Sequence, residues 1–244
     1  MFGLFKKKVE ENPSVAPILV DVHSHFLPGI DDGVQSFEEA LDILRAFSAM
    51  GYKKVITTPH IYWDYYPNTP EIILKKLHVL REKIAETDID IKISAAAEYF
   101  LDDHLISLVE NKGKLLTFGE NYLLFETSFI NQPAYLVDTL FKIFALGLTP
   151  VMAHPERYLY MHNNIQLAED LVDRGVLLQV NINSLTGHYS KEVKKCAEKL
   201  IDKNLVSFLG SDCHNMRHVG VLKRSAQTKY FKKLANQPIL NNTL

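Results

Sequence analysis

The chain has 244 residues, 47% of them hydrophobic and 23% charged, with 27 Lys+Arg against 29 Asp+Glu. This balance excludes a strongly basic nucleic-acid binder and a charge-rich disordered chain, and the length supports a core without staples. Two cysteines, Cys196 and Cys213, exclude a disulfide scaffold, and no apolar run approaches the roughly 20 residues of a membrane span.

The chain opens MFGLFKKK, with basic residues after the apolar ones, the reverse of a secretory signal, so a cytoplasmic protein is expected. Residues 1–17 read as a flexible arm, whose Phe2, Leu4, Phe5 and Lys6–Lys8 offer at most weak contact with an anionic membrane. Strand-like runs follow at 18–22, 53–58, 91–97, 122–126, 149–153, 177–182 and 205–209. Helical spacing fills the gaps. The stretch 37–50 opens with the capping box Ser36 and Glu39 and closes at Gly51. A second helix, 70–86, starts at Thr69-Pro70. Further helices are expected at 133–146, 164–174, 190–203 and 219–235, and residues 236–244 read as a tail. Strands alternating with helices predict a parallel α/β sheet, either open or closed into a barrel, in one domain over 18–235.

Metal-binding side chains fall at the ends of the predicted strands. These are Asp21-Val-His23-Ser-His25, Thr57-Thr-Pro-His60, Glu98, Glu126, His154-Pro-Glu-Arg157 and Ser211-Asp212-Cys-His214. Only the sixth strand, ending near Asn181 and Asn183, lacks a strong ligand. In a parallel α/β protein the C-terminal strand ends share one face, so these residues should converge. His23 and His25, two apart on a strand, point to one side. Imidazole and carboxylate without paired thiolates suits Zn²⁺, Mn²⁺ or Fe, and so many ligands suggest two or three ions with a bridging carboxylate. Any one of these residues alone reads better as a satisfied core or surface group. That reading weakens when it must hold at six strand ends together, because burying so many ionisable groups without a counter-charge is costly. Cys213 reads as a packed residue rather than a nucleophile. His78, His104, His162, His188 and His218 read as solvent-exposed. No GxxxxGK loop or GxSxG elbow is present.

In this order the motifs resemble the PHP (polymerase and histidinol phosphatase) superfamily. Within it they are most similar to the manganese-dependent protein-tyrosine phosphatases of capsular and exopolysaccharide synthesis. The most specific piece is Asp21-Val-His-Ser-His-Phe-Leu-Pro-Gly-Ile-Asp-Asp-Gly33. Thr57-Thr-Pro-His60, Ala97-Glu98, Leu124-Phe-Glu126, Ala153-His-Pro-Glu-Arg157 and Gly210-Ser-Asp-Cys-His-Asn215 follow. The resemblance spans about residues 18–217 and implies a distorted (β/α)₇ barrel with a trinuclear centre. His23, His25, Glu98 and Asp212 would hold one metal. Glu98 would bridge to a second held with Glu126 and His154. Asp32, His60 and His214 would hold a third, Asp32 being preferred to Asp31 by motif register. Arg157 would contact phosphate. Where the family often continues Arg-Pro-Pro, this chain reads Met216-Arg217-His218-Val219-Gly220, and the sequence leaves open whether Arg217 reaches the phosphate too.

The implied chemistry is phosphomonoester hydrolysis by a metal-bridged hydroxide, with Mn²⁺ as cofactor and Fe or Zn as alternatives. The implied partner is a phosphotyrosine protein, in particular a bacterial tyrosine kinase; no nucleic acid is expected and the oligomeric state is open. Tyr62, Trp63, Tyr65 and Tyr66, after His60, are candidates to wall a pocket around a substrate ring. The rival readings are a small-molecule phosphatase of the histidinol-phosphate type, a PHP-type nuclease, and a metal-holding regulatory module without turnover.

Overall fold

Each predicted strand is present, and two of them are followed, after a short break, by a further strand outside the predicted set. In the computed structural model, which describes residues 18–234 and 236–244, the strands are β1 (Val20–Asp21), β2 (Lys54–Thr57), β3 (His60–Ile61), β4 (Lys92–Ala95), β5 (Glu98–Phe100), β6 (Tyr122–Glu126), β7 (Thr149–Ala153), β8 (Leu177–Asn181) and β9 (Val206–Gly210). β2 and β4 fill two of the predicted runs, whereas β3 and β5 begin just beyond their ends, at His60 and Glu98. Pro59, which has no N–H to give a ladder, lies at the first break. All pairings are parallel, in two sheets ordered β1-β2-β4 and β3-β5-β6-β7-β8-β9. The two sheets are not joined into one continuous ladder, so the closed barrel implied by the resemblance is not shown by the strand pairing. The first strand meets the last through a parallel bridge between Ser24 and Cys213, with Asp212 N–H donating to His23 O at 2.8 Å and His25 N–H to Cys213 O at 3.0 Å.

Helices α1 (Phe37–Ala49), α2 (Pro70–Ala85), α3 (Asp103–Glu110), α4 (Leu136–Ala145), α5 (Leu159–His162), α6 (Ile165–Asp173), α7 (Lys191–Asp202), α8 (Met216–Ser225) and α9 (Lys229–Leu234) connect the strands. The expected caps form at Ser36, which accepts from Glu39 N, and at Thr69, which accepts from Ile72 N; Ser190, read as the first residue of its helix, is a cap as well and accepts from Val193 N. Helix α3 lies outside the predicted set, although Asp102 caps it on Leu105 N. The single helix expected at 219–235 is instead α8, capped by Asn215, and α9. A turn separates them, in which Thr228 Oγ1 donates to Ser225 O.

The period of two along each strand builds two cores. Leu123, Phe125, Met152, Leu178, Val180 and Leu209 face the helices, whereas Val22, Ile56, Leu124, Val151, Ala153 and Phe208 fill the interior of the sheet. The interior is stoppered at the N-terminal strand ends by residues 236–244, whose Leu240 and Leu244 pack against it. There the buried Asn241 amide donates to Val20 O at 2.8 Å and Leu209 O at 2.7 Å, and accepts from Leu209 N at 2.9 Å. It thereby links β1 to β9 where their ladder is missing. The N-terminal arm and its expected membrane contact lie outside the described residues. Among the described residues no helix is long and apolar enough to cross a membrane.

Candidate metal centre

At the opposite, C-terminal ends of the strands the polar side chains converge. His23 and His25 follow β1, His60 opens β3, Glu98 opens β5, Glu126 ends β6 and His154 follows β7. Asp212 and His214 follow β9, and Asp32 reaches in from the loop before α1. His154 (φ 32°) and Asp212 (φ 48°) sit in left-handed backbone, which costs a non-glycine residue about 1–3 kcal/mol each. That strain lies at the site itself.

The distances put candidate ligand atoms close enough to share an ion. Glu98 Oε2 is 3.0 Å from His23 Nε2, 3.5 Å from His25 Nε2 and 3.2 Å from His60 Nδ1, while its Oε1 is 2.9 Å from His154 Nε2. Asp212 Oδ1 is 3.6 Å from His23 Nε2 and 3.5 Å from His25 Nε2. Asp32 Oδ1 is 3.4 Å from His60 Nε2 and 3.3 Å from His214 Nε2. Four groups have ligand atoms within 4.8 Å of one another: His25, Asp32, His60 and His214; His23, His25 and Asp212; His23, Glu98 and His154; and His60, Glu98 and Glu126. These sets share members and follow the three expected sets only in part, since His25 also lies with Asp32 and His60 with Glu126.

The imidazole tautomers fit divalent cations. The Nδ1 of His23 lies 2.7 Å from Gln179 Oε1 and that of His25 lies 2.8 Å from Asp31 Oδ2, while that of His214 lies 3.0 Å from the Asp212 carbonyl oxygen. Each partner is an acceptor, so each Nδ1 carries a hydrogen and each Nε2 faces carboxylate oxygens, where a proton or a metal cation can sit between them. The Nε2 atoms of His23 and His25 are only 3.4 Å apart. Acceptors facing acceptors in a buried site call for a cation between them, and a set of imidazoles and carboxylates without thiolate suits Mn²⁺, Fe or Zn²⁺. His60 Nδ1, 3.1 Å from Glu126 Oε1, is buried without a hydrogen bond. Burial works against the anions of Glu98 and Asp212. Neighbouring histidines outweigh it, His23 and His60 for Glu98, His23 and His214 for Asp212, and hold both carboxyls well below the usual range. Burial likewise opposes the His25 cation, but Asp31, Asp212 and Glu98 raise its pKa well above the usual value, so a proton on Nε2 competes with a metal ion for the same lone pair.

Supporting groups lie outside the sequence-derived set. Asp31, the alternative to Asp32, is buried against His25 and accepts from the N–H groups of Gly33 (2.9 Å) and His60 (3.1 Å), whereas half-exposed Asp32 faces His60 and His214. The sixth strand, read as lacking a strong ligand, carries Gln179 against His23 and Asn181 against Asp212 Oδ2 (2.6 Å). Neutral amides carry no metal signature in a sequence, which is why these two escape notice. Glycines complete the cradle. A Cβ on Gly210 would come within 2.5 Å of His23 Cβ, and one on Gly33 within 2.3 Å of His25 O.

The centre floors an open cleft of about 640 Å³ whose lining includes Tyr62, Tyr65, Tyr66, Phe100, Phe129, Ile130, Arg157 and Tyr189. Tyr62 stacks on Phe100 at 4.0 Å, while Trp63 leaves the lining and stacks on His104 at 4.1 Å. Arg157 is the one Lys or Arg among the described residues of the lining. Arg217 stands exposed on the first turn of α8, outside the lining. His218, expected in solvent, is half-buried in the cleft wall with its Nδ1 3.2 Å from Asp212 O, because the cap at Asn215 turns α8 back under the site. His162 is half-buried as well, on Glu156 O at 2.8 Å. Cys213 is fully buried, which drives its thiol pKa well above the usual value and makes it a poor nucleophile.

A family model described as "Capsular polysaccharide synthesis, CpsB/CapC" matches residues 19–240. The chain is 29% identical to the putative tyrosine-protein phosphatase CapC of Staphylococcus aureus over 198 residues, covering 81% of this chain and 78% of that one. It is 29% identical to the tyrosine-protein phosphatase CpsB of Streptococcus pneumoniae over 203 residues, covering 81% and 84%. Among solved structures it is similar to one from a study of YwqE from Bacillus subtilis and CpsB from Streptococcus pneumoniae, described as metal-dependent tyrosine phosphatases. The TM-score is 0.79 at 26% identity, covering 90% of this chain and 96% of the other. With a family match over nearly its whole length, this chain belongs to the CpsB/CapC family.

Proposed function

We propose that this protein is a metal-dependent protein-tyrosine phosphatase of capsular polysaccharide synthesis, with a bacterial tyrosine kinase as its phosphotyrosine substrate. One observation carries the reading: overlapping His/Asp/Glu clusters lie at the floor of a cleft walled by aromatic rings. His23, His25, Asp32, His60, Glu98, Glu126, His154, Asp212 and His214 would hold two or three divalent ions, Mn²⁺ first among the candidates. Bound there, such ions would supply charge to neutralise phosphoryl oxygens and an activated water.

The chain's own groups do the rest. Gln179, Asp31 and the Asp212 carbonyl hold the Nδ1 sides of the three imidazoles, so each Nε2 already faces the centre and binds a metal ion once its proton is displaced. Arg157 presents N–H groups to a phosphoryl oxygen at the edge of the centre. The rings of Tyr62, Tyr66 and Phe129 exclude water and accept an aromatic leaving group. A tyrosine phenol, with pKa around 10, leaves without a strong general acid. The buried thiol of Cys213 has no role in this scheme.

The test compares a phosphotyrosine peptide, histidinol phosphate and single-stranded DNA, each with Mn²⁺ and with chelator. Turnover of the peptide alone, abolished by chelator and by His23→Ala or Asp212→Ala in folded protein, is the expected result. Preference for either other substrate would overturn the substrate assignment, and turnover surviving full metal removal would overturn the chemistry.

A further inference from the structure

Tyr189 touches both working parts of the cleft, and the sequence gives no reason to single it out. It follows the turn at Gly187, beyond the 3₁₀ segment Ile182–Thr186. Its hydroxyl donates to Asp212 Oδ2 at 3.1 Å. That oxygen, turned away from His23 and His25, also accepts from Asn181 Nδ2 at 2.6 Å and Arg157 Nη1 at 2.9 Å. The other oxygen, Oδ1, is left to the imidazoles. The ring does a second job. Arg157 Cζ lies 4.5 Å from the Tyr189 ring centroid and 4.7 Å from that of Phe129, so the guanidinium is clamped between two aromatic faces. Since Arg217 is outside the lining, the orientation of this single guanidinium decides how a phosphate is met.

We propose that Tyr189 is a positioning residue with two separable actions. Its hydroxyl holds Asp212 so that Oδ1 faces the metal centre, and its ring holds Arg157 in the plane from which it meets phosphate. The inference rests on the phosphatase reading, but its readouts are binding as well as turnover. Three donors on Oδ2 fix the carboxylate against rotation, and groups that orient a ligand in this way typically contribute about 10–100-fold in metal affinity. The stacked ring removes rotamer freedom from a long side chain that must otherwise be ordered when phosphate binds.

The test uses Tyr189→Phe and Tyr189→Leu in the full chain. Apo-protein is titrated with Mn²⁺ by calorimetry, and Mn²⁺-loaded protein is titrated with inorganic phosphate. Tyr189→Phe should weaken Mn²⁺ binding about tenfold and leave phosphate affinity within about twofold. Tyr189→Leu should weaken both. In turnover, Phe should lower kcat at nearly constant KM, and Leu should also raise KM. Unchanged Mn²⁺ affinity in Tyr189→Phe overturns the hydroxyl's role. Equal phosphate affinity in the Phe and Leu variants overturns the ring's role. Should Tyr189→Leu fail to fold, Phe129→Leu, which removes the opposite face of the clamp, replaces it: weaker phosphate binding supports the clamp and unchanged binding refutes it. A wild-type protein that binds Mn²⁺ but turns over no phosphotyrosine would sink the phosphatase reading, while the Mn²⁺ titrations would still judge the hydroxyl.

Discussion

Gly210→Ala tests how closely the backbone holds the centre. Gly210 ends β9 beside the first strand, and an added Cβ would meet His23 Cβ at 2.5 Å and Gln179 Nε2 at 2.7 Å. Both contacts are about 1 Å short of the ~3.5–4.0 Å at which carbon atoms rest. Neither neighbour has room to yield, since His23 and Gln179 are fully buried and bonded to each other. The strain of such overpacking is about 1–3 kcal/mol, a fall in Tm of roughly 3–10 °C for a chain of this size. The effect on function should be larger than the effect on folding. A ligand nitrogen must sit about 2.0–2.1 Å from its metal, and a displacement near 1 Å at a reacting centre can reduce rate about 100-fold. Phosphotyrosine peptide hydrolysis in Mn²⁺ should therefore fall at least tenfold. Metal per chain by elemental analysis should drop, with the circular dichroism of a folded α/β protein retained. Metal content and kcat/KM within twofold of wild type would refute the claim that Gly210 is there to admit His23.

Three further outcomes are expected. Cys213→Ser should retain substantial activity, measured beside His23→Ala; a loss as complete as in that variant, with metal still bound, would make the thiol a nucleophile after all. Asn241→Ala, far from the cleft, should lower stability by about 2–4 kcal/mol in denaturant melts, because it strands buried backbone groups of Val20 and Leu209; a change below about 0.5 kcal/mol would remove the proposed link between first and last strands. The Tyr99 hydroxyl accepts from Leu116 N–H at 2.8 Å, and burial pushes its pKa up to about 12. The folded state then keeps a proton that the unfolded chain releases above pH 10, so stability should fall as pH rises from about 10 to 12. Tyr99→Phe should flatten that stretch of the stability curve, and an unchanged slope would count against the assignment.

Local chemistry wrote much of this protein in plain view. The apolar runs specify the strands, because a parallel sheet covered on both sides needs continuous hydrophobic residues. Ser36, Thr69 and Ser190 mark helix starts because the helix's first N–H groups need acceptors close in sequence. The charged ligands are legible for a related reason: such groups at strand ends have a burial cost that only a shared site relieves. Tertiary structure alone decided how these pieces meet. It added short strands beyond the ends of two predicted ones and made the 236–244 segment a stopper. It brought His218 into the wall and left Arg217 outside. It also set the adjacent and chemically identical Asp31 and Asp32 against different neighbours, Asp31 against His25 and Asp32 against His60 and His214. Gln179 and Tyr189 are invisible in the sequence, and Asn181 shows there only as a strand end without a strong ligand, because an amide or a phenol is unremarkable until its partner is known. Those partners lie on other elements, and only the packing of the chain sets the hydrogen bonds that turn neutral side chains into the frame of the candidate metal centre.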